Sequence, residues 1–477
     1  MRLIGNVEKD AQVRAVASGA LPSGDAVVVN ADGTVSVVAG SDTSAGTPVV
    51  FDGSIIDPSA VFDSNSNKVV IAYRDVGNSN YGTAIVGTVS GSSISFGTPA
   101  VFRSNTSQFV TATFDSNSNK VVVAYQDVGN SFRGQSYVGT VSGTSISFGS
   151  GTQFTTGSAT FINATFDSGS NKVVVAYNDE GNSEYGTAVV GTVSGTSISF
   201  GSATVFESAV TYSISCAYDV ASGKVVIAYW DAGNSDYGTA VVGTVSGTSI
   251  SFGTPVVFES AYTEEISATY DPVNEKVVIA YRDNGNSNYG TAIVGTVSGT
   301  SISFGSAVVF ESANVYWISS TYDSNAQKVV ITYDDNGNSS KGTAIAGAVS
   351  GTSITFEPAV VFEEGNTVRT SATFDSNSNK VVVAYKDDDS GNATSAVITV
   401  GSTNLTSENF LGFAAHTYAD TQSALVNSTC TVDRNQTSLT AGQTYYVQAD
   451  GSLGTTAADP SVVAGTAISS TEIIVKG

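Results

Sequence analysis

Seven stretches of this chain open on a lysine, run through an apolar Val-Val-Val or Val-Val-Ile core to Ala-Tyr or Thr-Tyr, and reach aspartate after one further residue. The lysines are Lys68, Lys120, Lys172, Lys224, Lys276, Lys328 and Lys380, so the phrase returns every 52 residues without slippage. A short apolar run bounded by turn residues reads as a buried strand. A constant period of roughly 40–50 residues, all of it strand-like, is the signature of a β-propeller array. The fifth copy illustrates one blade. Ile266–Tyr270 is a first strand ending at Asp271, 272–275 a polar turn, Lys276–Tyr281 a second strand and 283–287 a loop. Gly290–Val297 is a third strand, 298–300 a tight turn, and Ser301–Phe304 opens a fourth. β-Branched and aromatic residues fill the strands; Gly, Asn, Asp and Ser fill the turns, where positive φ or local side-chain hydrogen bonds are needed.

Seven blades must close into a ring, because an open array leaves two sheet edges exposed. The seventh copy keeps its first three strands (371–400) but lacks the Ser-Ile-Ser-Phe-Gly segment, while Gly46-Thr-Pro-Val-Val-Phe51 repeats Gly253-Thr-Pro-Val-Val-Phe258. Residues 44–51 are therefore expected to supply the missing outer strand. The flanks also resemble each other: Leu21 to Val35 and Leu439 to Leu453 both read as strand, Ala-Asp-Gly turn, strand. The predicted architecture is all-β, a seven-bladed β-propeller (44–403) inserted into a small split β-domain formed by 1–40 and 404–477. A 40-residue flank would struggle to bury a core alone, and an insertion works best where its two ends are adjacent.

Differences between copies mark the candidate site. The Asp63–Lys68 turn recurs unchanged at Asp115–Lys120 and Asp375–Lys380, and the Ser-Gly-Thr-Ser turn is nearly fixed. Both turns fall on one rim. On the opposite rim the copies diverge in three columns. Between the Tyr and the fixed Asp stand Arg74, Gln126, Asn178, Trp230, Arg282, Asp334 and Lys386. Six residues before the first-strand Asp stand Asp57, Phe109, Phe161, Ser213, Glu265, Trp317 and Arg369, and one residue earlier Ile56, Gln108, Thr160, Tyr212, Glu264, Tyr316 and Val368. In the next loop, Arg133 and Lys341 replace a tyrosine that other copies share. Flat aromatic faces mixed with bidentate polar groups suit carbohydrate or protein recognition; loops also drift when nothing constrains them. The ligand-binding candidates are Arg74, Phe109, Phe161, Tyr212, Trp230, Glu265, Arg282, Tyr316 and Trp317; Trp230, Tyr316 and Trp317 favour recognition where they stand exposed, and packing between blades is their alternative. The Asp after each second strand (Asp75, Asp127, Asp179, Asp231, Asp283, Asp335, Asp387) reads as a turn-holding acceptor ahead of a cation ligand, because it is identical in every blade.

Composition removes several function classes. The formal charge of −23 disfavours nucleic acid and anionic membranes as partners. One histidine, His416, lies outside the repeats, so a Ser-His-Asp triad or a His-based zinc site would depend on it alone. Cys216 occupies a column otherwise filled by Ala or Ser and reads as a small buried thiol; with Cys430 it forms no framework. No catalytic residue, metal ligand set or cofactor is assigned. The start, Met1 to Asp10, lacks the apolar core of a signal peptide, and no run of about 18 apolar residues is present to span a bilayer.

Four segments carry a family resemblance: Ser23-Gly-Asp-Ala-Val-Val-Val-Asn-Ala-Asp-Gly-Thr-Val35, Asn409-Phe-Leu-Gly-Phe-Ala-Ala415, the stretch Gly442 to Gly451, and the stretch Ala464 to Lys476. With the repeat phrase Ala-Tyr-x-Asp-x-Gly-Asn-Ser and its Val-Gly-Thr-Val-Ser-Gly-Thr-Ser-Ile-Ser-Phe-Gly companion, the chain resembles virion surface proteins of tailed bacteriophages, especially phages of marine bacteria. The resemblance implies a structural virion component, a head fibre or capsid decoration or else a tail adhesin, made in the host cytoplasm and displayed on the particle. The implied partners are other virion proteins and a host-surface glycan, with self-association of the chain left open. Two alternatives stand beside it. One is a passive decoration without ligand. The other is a glycan-cleaving enzyme, for which Asp57, Glu264, Glu265 and Asp334 are the non-repeated acids available; no arginine cluster suited to a sialic acid carboxylate stands out in the sequence.

Overall fold

A computed structural model describes residues 12–457 and 461–476. Residues 1–11, including the start read above for a signal peptide, and 458–460 lie outside the described residues. The chain is all-β, with no α-helix among the described residues and no helix long and apolar enough to cross a membrane. It divides into two compact units, Thr43–Val400 and the paired flanks Met1–Asp42 and Gly401–Gly477. The boundary falls at 400/401, ahead of the expected 403/404. Gly40 bridges Thr403 and the Ser41 N–H donates to the Ser402 carbonyl (3.0 Å), which ties 401–403 to the flanks.

Thr43–Val400 is a propeller of seven four-stranded antiparallel sheets. In the fifth repeat the first strand is longer than its apolar run suggested, spanning Val256–Asp271. Its first half pairs with Tyr237–Ser246 of the preceding repeat, and from Thr263 onward it pairs with Lys276–Asp283 of its own. One strand thus completes the outer edge of one blade and starts the inner edge of the next. The innermost strands touch in ring order, and Val360–Asp375 of the seventh repeat meets Ile55–Asp63 of the first. The last blade has its outer strand from the chain's other side: Ala393–Thr399 pairs with Ser44–Ala45 and with Val49–Asp52.

The second strands explain the unbroken apolar runs. Val69 to Tyr73 are completely buried, because each such strand packs on both faces against neighbouring blades. One apolar cluster joins Ile55, Val69, Ile71 and Tyr73 of the first repeat to Val382, Ala384 and Val397 of the seventh. The buried tyrosines also need a hydroxyl partner. Tyr229, Tyr281, Tyr333 and Tyr385 donate to Glu207, Glu259, Glu311 and Glu363 at 2.8 to 3.3 Å, and Tyr73 to Asp52 at 2.5 Å. Cys216 is buried, which pushes its thiol up to about 12.

The flank unit holds two five-stranded sheets. One combines Gln12–Val16, Ala26–Val29 and Val35–Val37 with Phe410–Ala414 and Ser423–Asn427; the other lies wholly within Val432–Val475. The two Ala-Asp-Gly turns are equivalent: Asp32 accepts from the Thr34 N–H at 3.0 Å and Asp450 from the Ser452 N–H at 2.9 Å, each followed by glycine in the left-handed region. Val28, Phe413, Tyr445, Val447 and Ile473 share one core across both sheets.

Candidate functional site

The register puts the uniform turns and the variable columns at opposite ends of each blade. Lys276 faces Asp271 beside the first turn, and Asp283 faces Tyr289 at the far end. The fixed aspartates are turn holders. Asp75, Asp179, Asp231, Asp283, Asp335 and Asp387 each accept a backbone N–H from two or three residues ahead at 3.0 to 3.1 Å. Asp127 instead receives Arg103 at 2.9 Å.

Two of the three variable columns are direct cross-strand partners. Ile56 faces Arg74, Tyr212 faces Trp230, Glu264 faces Arg282, Tyr316 faces Asp334, and Val368 faces Lys386. Beyond each pair the ladder slips. In the fifth repeat pairing resumes at Ser267–Ala280, so Glu265 and Ile266 stand against Tyr281 alone. This is a β-bulge, a device that re-aims side chains. The third column occupies the first bulge position in all seven blades, always in the left-handed region: Asp57, Phe109, Phe161, Ser213, Glu265, Trp317 and Arg369 have φ between 48° and 61°. Glycine is the usual occupant of such a position. Here it is absent seven times. A Cβ in this conformation costs roughly 1–2 kcal/mol, and strain of this kind clusters at functional sites.

The bulge residues form a circuit. Asp57 Oδ2 accepts from the Phe109 N–H at 2.9 Å, and the Phe109 and Phe161 ring centroids lie 5.3 Å apart. Phe161 contacts Tyr212 (5.1 Å), the neighbour of Ser213, whose hydroxyl accepts from the Ile266 N–H at 3.0 Å. Glu265 accepts from the Trp317 N–H at 2.9 Å, the Arg369 guanidinium lies 4.7 Å over the Trp317 ring, and Arg369 pairs with Asp57 at 3.1 Å. The circuit starts and ends on Asp57.

Around it lie two sectors. Phe109, Phe161, Tyr212, Trp230 and Tyr262 make a run of rings with neighbouring centroids 4.8 to 5.3 Å apart. Repeats five, six, seven and one contribute the charges: Glu264, Glu265, Arg282, Asp334, Arg369, Lys386, Asp57 and Arg74. Arg282 pairs with Glu264 and lies 4.6 Å over Tyr316. Burial pushes Asp334 up to about 6 against the Ser340 hydroxyl, with Asp335 adding to it. Burial also raises Glu265 despite its bond from Trp317.

Trp230 and Trp317 are half-buried, between the two alternatives the sequence left open. Trp230 packs against the apolar cluster between repeats four and five, and its Nε1 donates to Asp236 at 2.8 Å. Arg133 and Lys341 are tied to the Thr156 carbonyl (3.1 Å) and to Glu364 (2.6 Å). The structure brings all nine candidate residues onto one rim and adds Tyr262, which sequence reasoning missed. Its column otherwise reads Ser54, Thr106, Ser158, Val210, Asn314 and Asn366, so the aromatic exception was visible there. The single histidine lies in the flank unit, in an open pocket with Gln12, Asn427, Cys430 and Arg434 and no carboxylate among the described residues that line it.

No family model matches the chain, and no curated protein matches its sequence. Among solved structures it is similar to the BP39L lectin from Burkholderia pseudomallei, with 11% identity, coverage of 74% of this chain and 99% of that one, and a TM-score of 0.58. It is less similar to the β-propeller domain of Swd1 from Myceliophteria thermophila (7% identity, 75% and 99% covered, TM-score 0.47). The SapL1 lectin in complex with alpha methyl fucoside gives 12% identity, 66% and 97% coverage, and a TM-score of 0.40. The likeness to the BP39L lectin concerns the propeller fold.

Proposed function

We propose that this chain is a non-enzymatic surface component of a bacteriophage virion, whose flank unit docks on the particle and whose propeller binds a host-surface carbohydrate through the bulge rim. The observation that carries the binding role is the ring of seven strained, non-glycine bulge residues, beside a run of stacked aromatics. Aromatic faces receive the apolar faces of sugar rings, while fixed carboxylates and guanidinium groups read hydroxyls. A propeller named a lectin shares the fold; at 11% identity that likeness concerns the fold, and the rim geometry stands independently of it. The virion setting rests on the flank and repeat segments quoted above.

Of the four acids that the enzyme reading offers, three are engaged, while Asp334, raised by burial to about 6, keeps one carboxyl oxygen without a partner. Asp57 is held by Arg369 and Phe109, Glu264 by Arg282 and Tyr262, and Glu265 by Trp317. A glycan array probed with the full chain tests the binding role. Trp317→Ala and Tyr212→Ala are expected to weaken binding about tenfold or more, in keeping with removal of an aromatic anchor. Binding equal to that of the parent chain in both variants would refute the rim as the site. Antibody labelling of intact virions, read by electron microscopy, tests the setting: label on head or tail supports it, and unlabelled particles sink it.

A further inference from the structure

Ring closure brings together two arginines that stand 295 residues apart in the chain. Arg369 pairs with Asp57 (3.1 Å) and stacks on Trp317. Arg74 lies in the strand beside Asp57, across from Ile56. Among the described residues its half-buried guanidinium makes no ion pair, and its buried Nε has no hydrogen-bond acceptor. The Nε atoms of Arg282 and Arg103 also lack an acceptor, but each of those arginines holds a carboxylate through a terminal nitrogen, which Arg74 does not. Buried polar groups are partnered as a rule, so a half-buried arginine without a carboxylate asks for an explanation, and an absent anion is one. The charges acting on Arg74 are Asp57 and Arg369; together with burial, the like charge of Arg369 weakens its hold on its proton. Asp57 is the one carboxylate ion-paired with either arginine among the described residues, and Glu265, raised by burial, acts on Arg369 from further off. A carboxylate added at the seam gives Arg74 the ion pair it lacks.

We infer that the seam between the seventh and first blades, at Arg74, Arg369 and Asp57, is a subsite for the carboxylate of an acidic sugar, flanked by the Phe109 and Trp317 rings. Arg74 supplies the unpaired charge; Arg369 is held in place by Asp57 and Trp317. This deepens the proposed carbohydrate role and rests on it; the sequence alone offered no arginine cluster suited to a sialic acid carboxylate. The two arginines meet only when the ring is closed.

The test uses the full chain on an array of neutral glycans, uronate-containing and sialylated glycans, and the carboxyl-reduced form of each acidic glycan. Signals are expected to concentrate on the acidic glycans and to fall about tenfold or more on carboxyl reduction, the loss typical of a hydrogen bond to a charged group. Arg74→Gln should erase that preference, Arg74→Lys should keep part of it, and added salt should weaken it. Thermal unfolding identifies a variant that has failed to fold; Arg74→Gln removes an unpaired half-buried charge and is expected to fold. Equal binding of acidic and reduced forms, or an acidic preference that survives Arg74→Gln, overturns the subsite. Binding of neutral glycans alone overturns it too, yet leaves the carbohydrate role standing; binding of no glycan sinks both.

Discussion

The left-handed bulge column makes an unusual prediction about glycine. In an ordinary strand, glycine is less stable than alanine by roughly 0.5–1 kcal/mol, because it loses more backbone freedom on folding. At Phe161 (φ 49°) the comparison changes sign. Phe161→Ala and Phe161→Gly lose the same ring and the same contacts to Phe109 and Tyr212. Alanine keeps a Cβ in the left-handed region, at roughly 1–2 kcal/mol, and glycine does not. Glycine's entropic penalty offsets about half of that, so Phe161→Gly should be more stable than Phe161→Ala by about 0.5–1 kcal/mol. The next residue is the control: Ile162 is buried, lies outside the left-handed region, and should show the usual order with alanine ahead. Urea unfolding followed by tryptophan fluorescence suits the comparison, because both tryptophans, Trp230 and Trp317, belong to the propeller and the flank unit is silent. Using the difference between two variants at one position cancels departures from two-state behaviour common to both. If alanine is the more stable substitution at 161 as it is at 162, the bulge stores no strain, and the physical argument for a dedicated rim falls with it.

Two further predictions concern the same scaffold. The Asp334 carboxyl, raised by burial from 3.8 to about 6, binds its proton more tightly in the folded chain than in the unfolded one. Its contribution is therefore complete below the unfolded value and is lost as pH rises through about 6. Asp334→Asn should accordingly raise the thermal midpoint at pH 7.5, with the gain shrinking toward pH 4; a gain independent of pH would contradict this. Val49 packs in the cluster that joins the first and seventh blades, so Val49→Asp should destabilise the propeller by about 2–4 kcal/mol, whereas Val50→Asp, on the exposed side of the same strand, should change it by less than about 1 kcal/mol. Equal midpoints for the two variants in urea unfolding would argue against a closing strand at 49–52.

What could be read from the chain, and what could not, divides along a physical line. The second strands were legible because Lys276-Val-Val-Ile-Ala-Tyr281 is a short β-branched run bounded by turn residues that returns every 52 residues; that both of its faces are buried came from the structure. The closing strand was legible because Gly46 to Phe51 copies Gly253 to Phe258 word for word. The three variable columns were visible because 52-residue copies invite comparison position by position, and two of them proved to be cross-strand pairs. The left-handed backbone was not visible, since local signals for it are Gly and Asn, and the column holds Phe, Trp, Arg, Ser, Asp and Glu instead. Its one trace is a phase slip: the core-facing residues Thr263 and Ile266 are three apart, where an unbroken strand allows two.

The same line separates single residues from their neighbourhoods. Each charged residue of the rim can be named from the sequence, but its partner cannot when the partner lies on an adjoining blade. Glu264 and Arg282 belong to one hairpin, and their pairing follows from the register alone. Arg369 and Asp57 are 312 residues apart, and their pairing follows only from closure. In an open array the seventh blade would hold Arg369 over Trp317 with no carboxylate beyond it, and Asp57 would stand with Arg74 at the far end. Closing the ring moves Asp57 onto Arg369 and leaves Arg74 without an ion pair among the described residues. The seam that completes the fold is therefore also where the rim presents an arginine with no carboxylate of its own, and this makes it a position on which an acidic ligand has much to gain.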